Sequence, residues 1–246
     1  MSEDKEVVFC ERDNLKVMET GCGVELKQLY DVVIGFSWKT ENEFKRPNCI
    51  KEGMTFSEIQ NAMRNISKEE RDEMDNFVDE TPEPIMVFLD KYGRCKNIDN
   101  FIFYNSNNIP NGIVIPDIYE VDEEEDEDVF MKNLKNIGNV EGDKECIGVD
   151  LLRLSKDVDS IVVYLTSRDE DKTFNTIHDV SITIYNSDTM EALCKYSLPE
   201  DNNDNRSRKM VTIKITDRIH GSWLVHSDGE NSKEHIQELA NKHICL

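Results

Sequence analysis

Carboxylates are the side chains of this sequence best suited to chemistry. The sequence contains 51 aspartate and glutamate residues but only 29 lysine and arginine residues, so its formal net charge is −22. Carboxylate oxygens are the preferred ligands of calcium and other hard divalent cations, and a strongly acidic surface also attracts basic partner proteins. The same charge repels the phosphates of nucleic acids and anionic membrane surfaces. We therefore expect divalent cations or basic proteins as partners, and neither nucleic acid nor a membrane.

Seven of these carboxylates form one uninterrupted acidic block, residues 122–128. Adjacent like charges cannot pack together in a core, so the block predicts a solvated acidic loop at about residues 119–130. It is not a calcium loop of the EF-hand type, because it lacks the glycine at the sixth position and the alternating ligand spacing. Three roles stay open for it: a disordered solubilising loop, a weak site for divalent cations, or a docking segment for a basic partner surface.

The nucleophilic side chains of the sequence follow no catalytic motif. Its seven cysteines are scattered and include no Cys-x-x-Cys pair, which is typical of reduced structural thiols and not of a disulfide framework or a zinc site. The five histidines show no spacing that selects a catalytic triad, and the sequence has no Gly-rich phosphate loop or nucleophile elbow. We therefore expect a protein without enzymatic activity.

The sequence also carries no recognisable targeting segment. Residues 1–6 are polar and acidic, whereas a secretory signal needs a basic region followed by an apolar stretch. No apolar run approaches the roughly 20 residues that a membrane-spanning helix needs. We therefore expect a cytoplasmic protein.

The elements that must position the acidic residues are mostly strands. Residues 32–38 and 85–89 are continuous, β-branched apolar runs, which predict strands buried on both faces. Residues 180–185 alternate between apolar and polar, which predicts a half-buried strand. Many short strands without alternating helices indicate a sandwich or a barrel. Further strands are predicted at 101–104, 145–151, 158–165, 193–198, 210–215 and 222–226.

Two segments have helical periodicity instead. Between residues 55 and 79 apolar side chains recur at helical spacing, and the prolines at 82 and 84 end the pattern. We interpret this region as a helical insertion at about residues 41–80. Residues 232–243 predict a C-terminal helix. Because no composition shift resembles a linker, the sequence predicts a single domain over residues 1–246.

Several short segments between residues 33 and 226 follow one another in an order that resembles the TerD family. This family is named for tellurite resistance, and general stress proteins and cAMP-binding proteins are related to it. The segments that carry the resemblance are residues 33–38, 85–90, 101–105, 110–112, 142–145, 149–151, 174–177, 195–198 and 221–223.

The resemblance implies a mainly β fold, a two-sheet β-sandwich of TerD type, here with the helical insertion and the C-terminal helix. It also implies that clustered carboxylates in loops at one end of the sandwich bind calcium, and it implies no established enzymatic activity. Carried over residue by residue, the implied ligands are Glu83, Asn133, Asp143 and Glu145.

This sequence departs from the family pattern at three ligand positions. Thr81 replaces the first acid of the family's Asp-x-Asp, of which Glu83 is the second. Lys132 precedes Asn133, and Lys144 separates the two acids of the 142–145 segment. Lysines at such positions repel a cation, or they replace it electrostatically. Convergence of Glu83, Asp143 and Glu145 within about 5–6 Å of one point would distinguish a retained site from a lost one.

Three functional hypotheses follow. The first is a non-enzymatic TerD-type protein that binds calcium or another divalent cation in a stress-response or signalling assembly. The alternative is a metal-free protein–protein interaction scaffold that uses its acidic loops and helical insertion as docking surfaces. A third, cyclic-nucleotide binding, rests on the resemblance alone, and the net charge of −22 opposes it.

Overall fold

The computed structural model describes residues 10–12, 15–40, 55–64, 66–68, 82–103, 106, 111–114, 143, 145–167, 177–199 and 207–244. The acidic block 122–128, Asn133, Lys132, Lys144 and most of the predicted insertion lie outside these described residues. The prediction of a single domain over residues 1–246 therefore stays a prediction.

Strands dominate the described part of the chain. In chain order they are β1 (Cys10–Arg12), β2 (Leu15–Met18), β3 (Gly23–Leu26), β4 (Asp31–Thr40), β5 (Pro82–Leu89), β6 (Phe101–Ile102), β7 (Ile113–Val114), β8 (Glu145–Asp150), β9 (Ser160–Ser167), β10 (Ile177–Asn186), β11 (Ala192–Ser197), β12 (Ser207–Asp217) and β13 (Ser222–Ser232). The helices are α1 (Phe56–Met63), α2 (Ile236–His243) and a 3-10 turn at Ile98–Asn100. The mainly β prediction is confirmed, although the strands predicted from the sequence do not include the short strands β1, β2, β3 and β7.

The strands form two sheets that pack face to face. One has seven strands in the order β1-β2-β11-β10-β4-β8-β7, and the other has six in the order β3-β13-β12-β9-β5-β6. Alternate residues of each strand point between the sheets, as the two-residue period of a strand requires. In β4 these are Val32, Ile34, Phe36 and Trp38, which belong to the hydrophobic core shared by both sheets.

The prediction of a half-buried strand at residues 180–185 is wrong. These residues lie in β10, and Ser181, Thr183 and Tyr185, which point away from the core, are buried as well. The alternation of polar and apolar residues predicts one solvent-exposed face, but β10 lies between β4 and β11 and its outer side chains are buried. The hydroxyl of Tyr185, for example, donates a hydrogen bond to Asp143. A polar side chain on a strand needs a hydrogen-bonding partner, and that partner can be another protein group instead of water.

The two ends of the sandwich differ. At one end, which we call the turn end, lie the connections formed by residues 27–30, 90–97, 150–159, 187–191 and 217–221. Arg218, just after β12, joins the two sheets here by donating to the carbonyl oxygen of Leu151, just after β8, at 2.7 Å. At the opposite end Arg208, near the start of β12, donates to the carbonyl oxygen of Pro199, just after β11, at 3.3 Å. We call this second end the carboxylate end, because Glu83, Asp143 and Glu145 lie there.

Four connections at the turn end begin with an aspartate or asparagine whose side chain accepts backbone N–H groups. Asp150 accepts from the N–H groups of residues 152 and 153 at 2.8 and 3.0 Å, and Asp217 accepts from those of residues 219 and 220 at 3.0 and 3.1 Å. Asp90 and Asn186 make equivalent bonds in their own turns. Such side-chain bonds favour one turn conformation over the alternatives, so the connections at this end are well defined.

The helical predictions are confirmed where the structure describes them. Helix α1 lies inside the predicted insertion and begins with a capping box, in which the backbone N–H of Thr55 donates to Glu58 at 2.8 Å. Helix α2 lies inside the predicted C-terminal helix and packs on the outer face of the six-stranded sheet through Leu239, which is fully buried. Leu239 belongs to a second hydrophobic cluster, separate from the core shared by the two sheets. Its other buried members are Ile85, Val87, Leu89, Cys95, Phe101, Val162 and Tyr164.

A partly buried polar contact joins the end of α2 to the sheet. The Tyr164 hydroxyl and Nε2 of His243 are hydrogen-bonded at 2.8 Å. Burial lowers the pKa of His243 below its ordinary value, and the positive charges of Lys242 and Lys209 lower it further, whereas Glu234 opposes them. The imidazole is therefore held in its neutral form where it meets Tyr164.

We expect this contact to make stability depend on pH. Since the pKa of His243 is lower in the folded state than the ordinary value of about 6.5, the unfolded chain binds a proton more readily. The stability that the neutral histidine contributes is complete above about pH 6.5 and is lost as the pH falls toward the lowered pKa. Urea unfolding at about pH 7.5 and about pH 5.5 measures this loss.

The control is His243→Gln, which keeps a hydrogen-bonding side chain and cannot titrate. We expect the variant to lose less stability than the wild type over this interval, because its remaining pH dependence comes from other groups. An identical loss in both proteins would show that His243 does not contribute.

Candidate metal centre

Strand register brings three of the implied ligands to the carboxylate end. Glu83 is the second residue of β5 and pairs with Thr166 near the end of β9. Glu145 is the first residue of β8 and pairs with Phe36 of β4, and Asp143 lies two residues before it. Because neighbouring strands are antiparallel, the start of β5 meets the end of β9, whereas the start of β8 meets β4 four residues before that strand ends at Thr40.

The three carboxylates do not share one face. Glu83 is on the same face of β5 as Ile85 and Val87, the outer face that α2 covers. Glu145 is on the same face of β8 as Ile147, which points between the sheets. Asp143 lies over Gly35, on the outer face of the seven-stranded sheet. The register alone therefore places Glu83 and Asp143 on opposite outer faces.

Within the part of the chain that the structure describes, no group of three or more histidine, cysteine, aspartate or glutamate side chains is arranged to hold a metal ion. Asn133 and the segment around it lie outside that part. The four-residue ligand set is therefore not tested as a whole and stays a prediction.

Two residues of the seven-stranded sheet, Tyr185 and Gly35, hold the side chain of Asp143 in one position, which we call its seat. The Tyr185 hydroxyl donates to Oδ2 of Asp143 at 2.5 Å. Gly35 provides the space, because a Cβ at this position would lie 2.8 Å from Cγ of Asp143 and 2.9 Å from Cε2 of Tyr185. Real Cβ contacts are not this short, so any larger residue at position 35 would displace the carboxylate or the phenol ring.

The surroundings of Asp143 change its ionisation. Burial raises the pKa of this carboxyl, while the hydrogen bond from Tyr185 and the positive charge of Lys195 oppose the rise. Burial also raises the pKa of Tyr185, and the neighbouring carboxylate raises it further. Tyr185 therefore remains a neutral hydrogen-bond donor, and the carboxylate it holds is harder to ionise than an exposed aspartate.

The sequence pattern indicates Asp143 but not the residues that contact it. For Tyr185 the pattern predicts only a strand, and for Gly35 only a buried apolar run. A glycine inside a strand is nevertheless a signal, because it weakens the strand unless another group must approach the backbone closely. Here the approaching group is the carboxylate of Asp143, which comes from a distant part of the sequence.

A second polar cluster lies on the outer face of the six-stranded sheet. The carboxylate of Asp228, nearly buried, contacts Nζ of Lys209 at 3.1 Å and Nδ1 of His226 at 3.3 Å, and it accepts from the hydroxyl of Thr212 at 2.7 Å. Lys209 and Thr212 are on β12, and the other two residues are on β13. Since the charges are paired within the cluster, its evident effect is to join these two strands.

The described helices are too short and too polar to cross a membrane.

Comparisons with known proteins give one family. A family model described as the TerD domain matches residues 17–243. General stress protein 16U of Bacillus subtilis (strain 168) is 31% identical over 119 residues, which are 47% of this chain and 54% of that protein. The chain thus matches about half the length of this curated relative.

Two solved structures were also similar. A homologue of telluride resistance protein (TerD) from Streptomyces coelicolor A3(2) aligns with 84% of this chain and 92% of its own, at 10% identity and a TM-score of 0.46. A second, described as a protein of unknown function, aligns with 83% of this chain and 93% of its own, at 13% identity and a TM-score of 0.43.

Proposed function

Because this chain belongs to the TerD domain family, whose model matches residues 17–243, we propose that it is a non-enzymatic protein of a stress response of the tellurite-resistance type. In this proposal it binds calcium or another divalent cation at the carboxylate end. The similarity to a general stress protein supports the stress-response role. The proposed ligand is Asp143, because Glu83 lies on the opposite outer face of the sandwich and Glu145 points between the sheets.

The observation that best supports cation binding is the seat of Asp143. Ligating carboxylates are themselves hydrogen-bonded by a surrounding shell that orients them. Tyr185 holds one oxygen of Asp143, Oδ2, at 2.5 Å, and this leaves Oδ1 for a cation. The close fit over Gly35 restricts the carboxylate to one position. A positioned oxygen loses little conformational freedom when a cation binds, which favours binding.

The raised pKa of Asp143 adds a pH dependence to the proposal. A cation binds the ionised carboxylate, so it competes with the proton that burial favours. Binding therefore strengthens as the pH rises through the raised pKa of this group. Lys132 and Lys144 lower the affinity further, because their charges repel the ion.

We expect calcium to stabilise the chelator-treated protein and to lose this effect in Asp143→Asn. If calcium is present at about 100 times its dissociation constant, binding to the folded state adds about 2.7 kcal/mol. For a chain of this size each kcal/mol raises the Tm by about 2–4 °C. Thermal unfolding with and without about 10 mM calcium measures the effect. Asparagine keeps the shape of the side chain and can still accept from Tyr185, so the variant removes mainly the charge.

The matched control is Asp157→Asn, which removes an exposed carboxylate that pairs with Lys96 at the turn end. The control is expected to keep the full calcium effect. A calcium effect of equal size in Asp143→Asn and the control, or none in the wild type, would refute a site that uses Asp143.

A metal-free interaction scaffold is the second candidate. It is supported by a group of exposed apolar side chains at the turn end, which lies away from the proposed cation site. We place either function in the cytoplasm, where cysteines stay reduced. Among the described residues Cys22, Cys95, Cys146 and Cys194 lie outside any disulfide, which is consistent with that location.

A further inference from the structure

Lys195 lies on the same outer face of the seven-stranded sheet as Asp143. On β10, Thr183 pairs with Lys195 of β11 on one side and with Gly35 of β4 on the other. Directly paired residues of antiparallel strands point to the same face of a sheet, so these three residues form one row across three strands. The carboxylate of Asp143 lies over Gly35, at the end of this row.

The row is short enough for the charge of Lys195 to act on Asp143. Neighbouring strands are about 4.8 Å apart, so the Cα atoms of Lys195 and Gly35 are separated by roughly 9.6 Å. The four-carbon stem of a lysine carries its ammonium across much of such a distance. Consistent with this geometry, the charge of Lys195 lowers the pKa of the Asp143 carboxyl against the effect of burial.

No other described residue neutralises this lysine. Its neighbour on β2 is Val17, which is uncharged. The next side chains on the same face of β11 are Leu193 and Ser197, which are uncharged as well. Within the described ranges the ammonium of Lys195 forms no ion pair. Its positive charge therefore acts undiminished on the surroundings of Asp143.

A fixed positive charge opposes cation binding in proportion to the charge of the cation. Because the Coulomb energy is a product of two charges, an ammonium repels a trivalent ion about 1.5 times as strongly as a divalent one. At roughly 7 Å in mostly aqueous surroundings, this repulsion lowers the affinity for a divalent ion about tenfold. For a trivalent ion the same energy per unit charge gives about thirtyfold.

We propose that Lys195 sets both the affinity and the charge selectivity of the cation site at Asp143. This inference rests on the proposed function, because it concerns the same site. Lys195 does not bind the ion; its ammonium weakens the binding of divalent cations and weakens that of trivalent cations more. The net charge of −22 attracts cations to the whole chain, and a local positive charge supplies discrimination that this general attraction lacks.

Terbium luminescence tests the proposal, with terbium as the trivalent probe and calcium as the divalent one. A bound terbium ion is excited through a nearby tyrosine ring, and the Tyr185 hydroxyl donates to Asp143, so binding at this site gives a signal. The signal that Asp143→Asn retains comes from other acidic residues and is subtracted. Displacement of terbium by calcium then gives the calcium dissociation constant.

Two variants separate the charge of Lys195 from its shape. Lys195→Met keeps a long side chain without the charge, and we expect it to bind calcium about tenfold and terbium about thirtyfold more tightly than the wild type. Lys195→Arg keeps the charge, so we expect it to retain the weaker binding of both ions. In chelator, thermal unfolding of both variants is expected to match that of the wild type, because Lys195 forms no ion pair among the described residues.

The matched control is Lys39→Met, which removes the same charge from the same strand face. Lys39 lies four residues after Gly35 on β4, which is about 13 Å along a strand. This distance exceeds the Debye length of about 8 Å at physiological ionic strength, so the charge is largely screened. Lys39 is exposed and pairs with Asp179 at 2.5 Å. We expect the control to bind both ions as the wild type does.

The possible failures are distinguishable from one another. If Lys195→Met binds both ions like the wild type while Asp143→Asn loses the signal, the cation site stands and the role of Lys195 is refuted. Equal changes for calcium and terbium, or a Lys195→Arg that behaves like Lys195→Met, would also refute it, because the effect would not depend on charge. If no protein binds either ion through Asp143, Lys195→Met included, the proposed function fails and this inference fails with it. Binding that appears only in Lys195→Met supports both.

Discussion

Replacing Trp223 with alanine is expected to destabilise the protein by about 3–5 kcal/mol, the usual range for removing a fully buried aromatic side chain. Trp223 has no exposed surface and belongs to the core shared by the two sheets. The loss has two parts, because apolar surface is no longer buried and the neighbouring side chains fill the cavity only partly. Urea unfolding, compared with the wild type at one pH, measures the change in the free energy of unfolding.

The indole of Trp223 also makes a specific hydrogen bond. Its Nε1 donates to the carbonyl oxygen of Leu29 at 2.7 Å, and the N–H of Leu29 donates to the carbonyl oxygen of Gly221 at 2.9 Å. Gly221 has a φ of +61°, and a Cβ there would lie 2.5 Å from the Leu29 carbonyl oxygen. The segment 221–223 thus holds residues 27–30 against the start of β13.

The variant Trp223→Phe separates these contributions. Phenylalanine keeps most of the buried ring but leaves the Leu29 carbonyl without its donor, so we expect a loss of about 1–3 kcal/mol. If alanine and phenylalanine were equally destabilising, the hydrogen bond would dominate and the cavity argument would be wrong.

We expect Arg218→Ala to be the second most destabilising change, at about 2–3 kcal/mol, since hydrogen bonds from charged donors contribute more than neutral ones. The Nη1 atom of Arg218 donates to the carbonyl oxygens of Leu151 and Leu154 at 2.7 and 3.2 Å. Its Nη2 atom donates to those of Ser155 and Val158 at 3.2 and 2.9 Å. One side chain therefore satisfies four carbonyl groups of the connection between β8 and β9.

Urea unfolding of Arg218→Ala is compared with that of Arg153→Ala, a change in the same connection. The exposed side chain of Arg153 pairs with Asp150 at 3.1 Å, and exposed ion pairs contribute about 0–1 kcal/mol. Equal decreases in the free energy of unfolding of the two variants would mean that the four carbonyl contacts of Arg218 stabilise the protein no more than an exposed ion pair does.

Lysine at position 218 cannot replace the guanidinium, because its ammonium lacks the planar arrangement of donors that reaches several carbonyls at once.

The sequence alone predicted the class of the fold and much of its core. The apolar runs at 32–38 and 85–89 are buried strands in the structure, because β-branched residues favour strands and must avoid water. Helical spacing at 232–243 predicted α2, and the ordered segments predicted the TerD family that the comparisons found. These features depend on local pattern, which a sequence contains in full.

The sequence alone did not predict whether the polar residues of the strands are exposed or buried. Ser181, Thr183 and Tyr185 alternate with apolar residues as they would beside water, yet they are buried. Whether a polar side chain meets water or another protein group depends on what packs over it, and for Tyr185 that group is Asp143, 42 residues away in sequence.

By itself the sequence determined most strands of this protein, its family and its net charge of −22. Tertiary structure decided where those charges and apolar side chains lie relative to one another. It seated Asp143 over Gly35, and it collected Tyr30, Tyr92, Leu152 and Ile219 at an end whose connections contain equal numbers of acidic and basic residues. The reason is physical: net charge is a sum that ignores position, whereas binding depends on the charges and surfaces within a few ångströms of the partner.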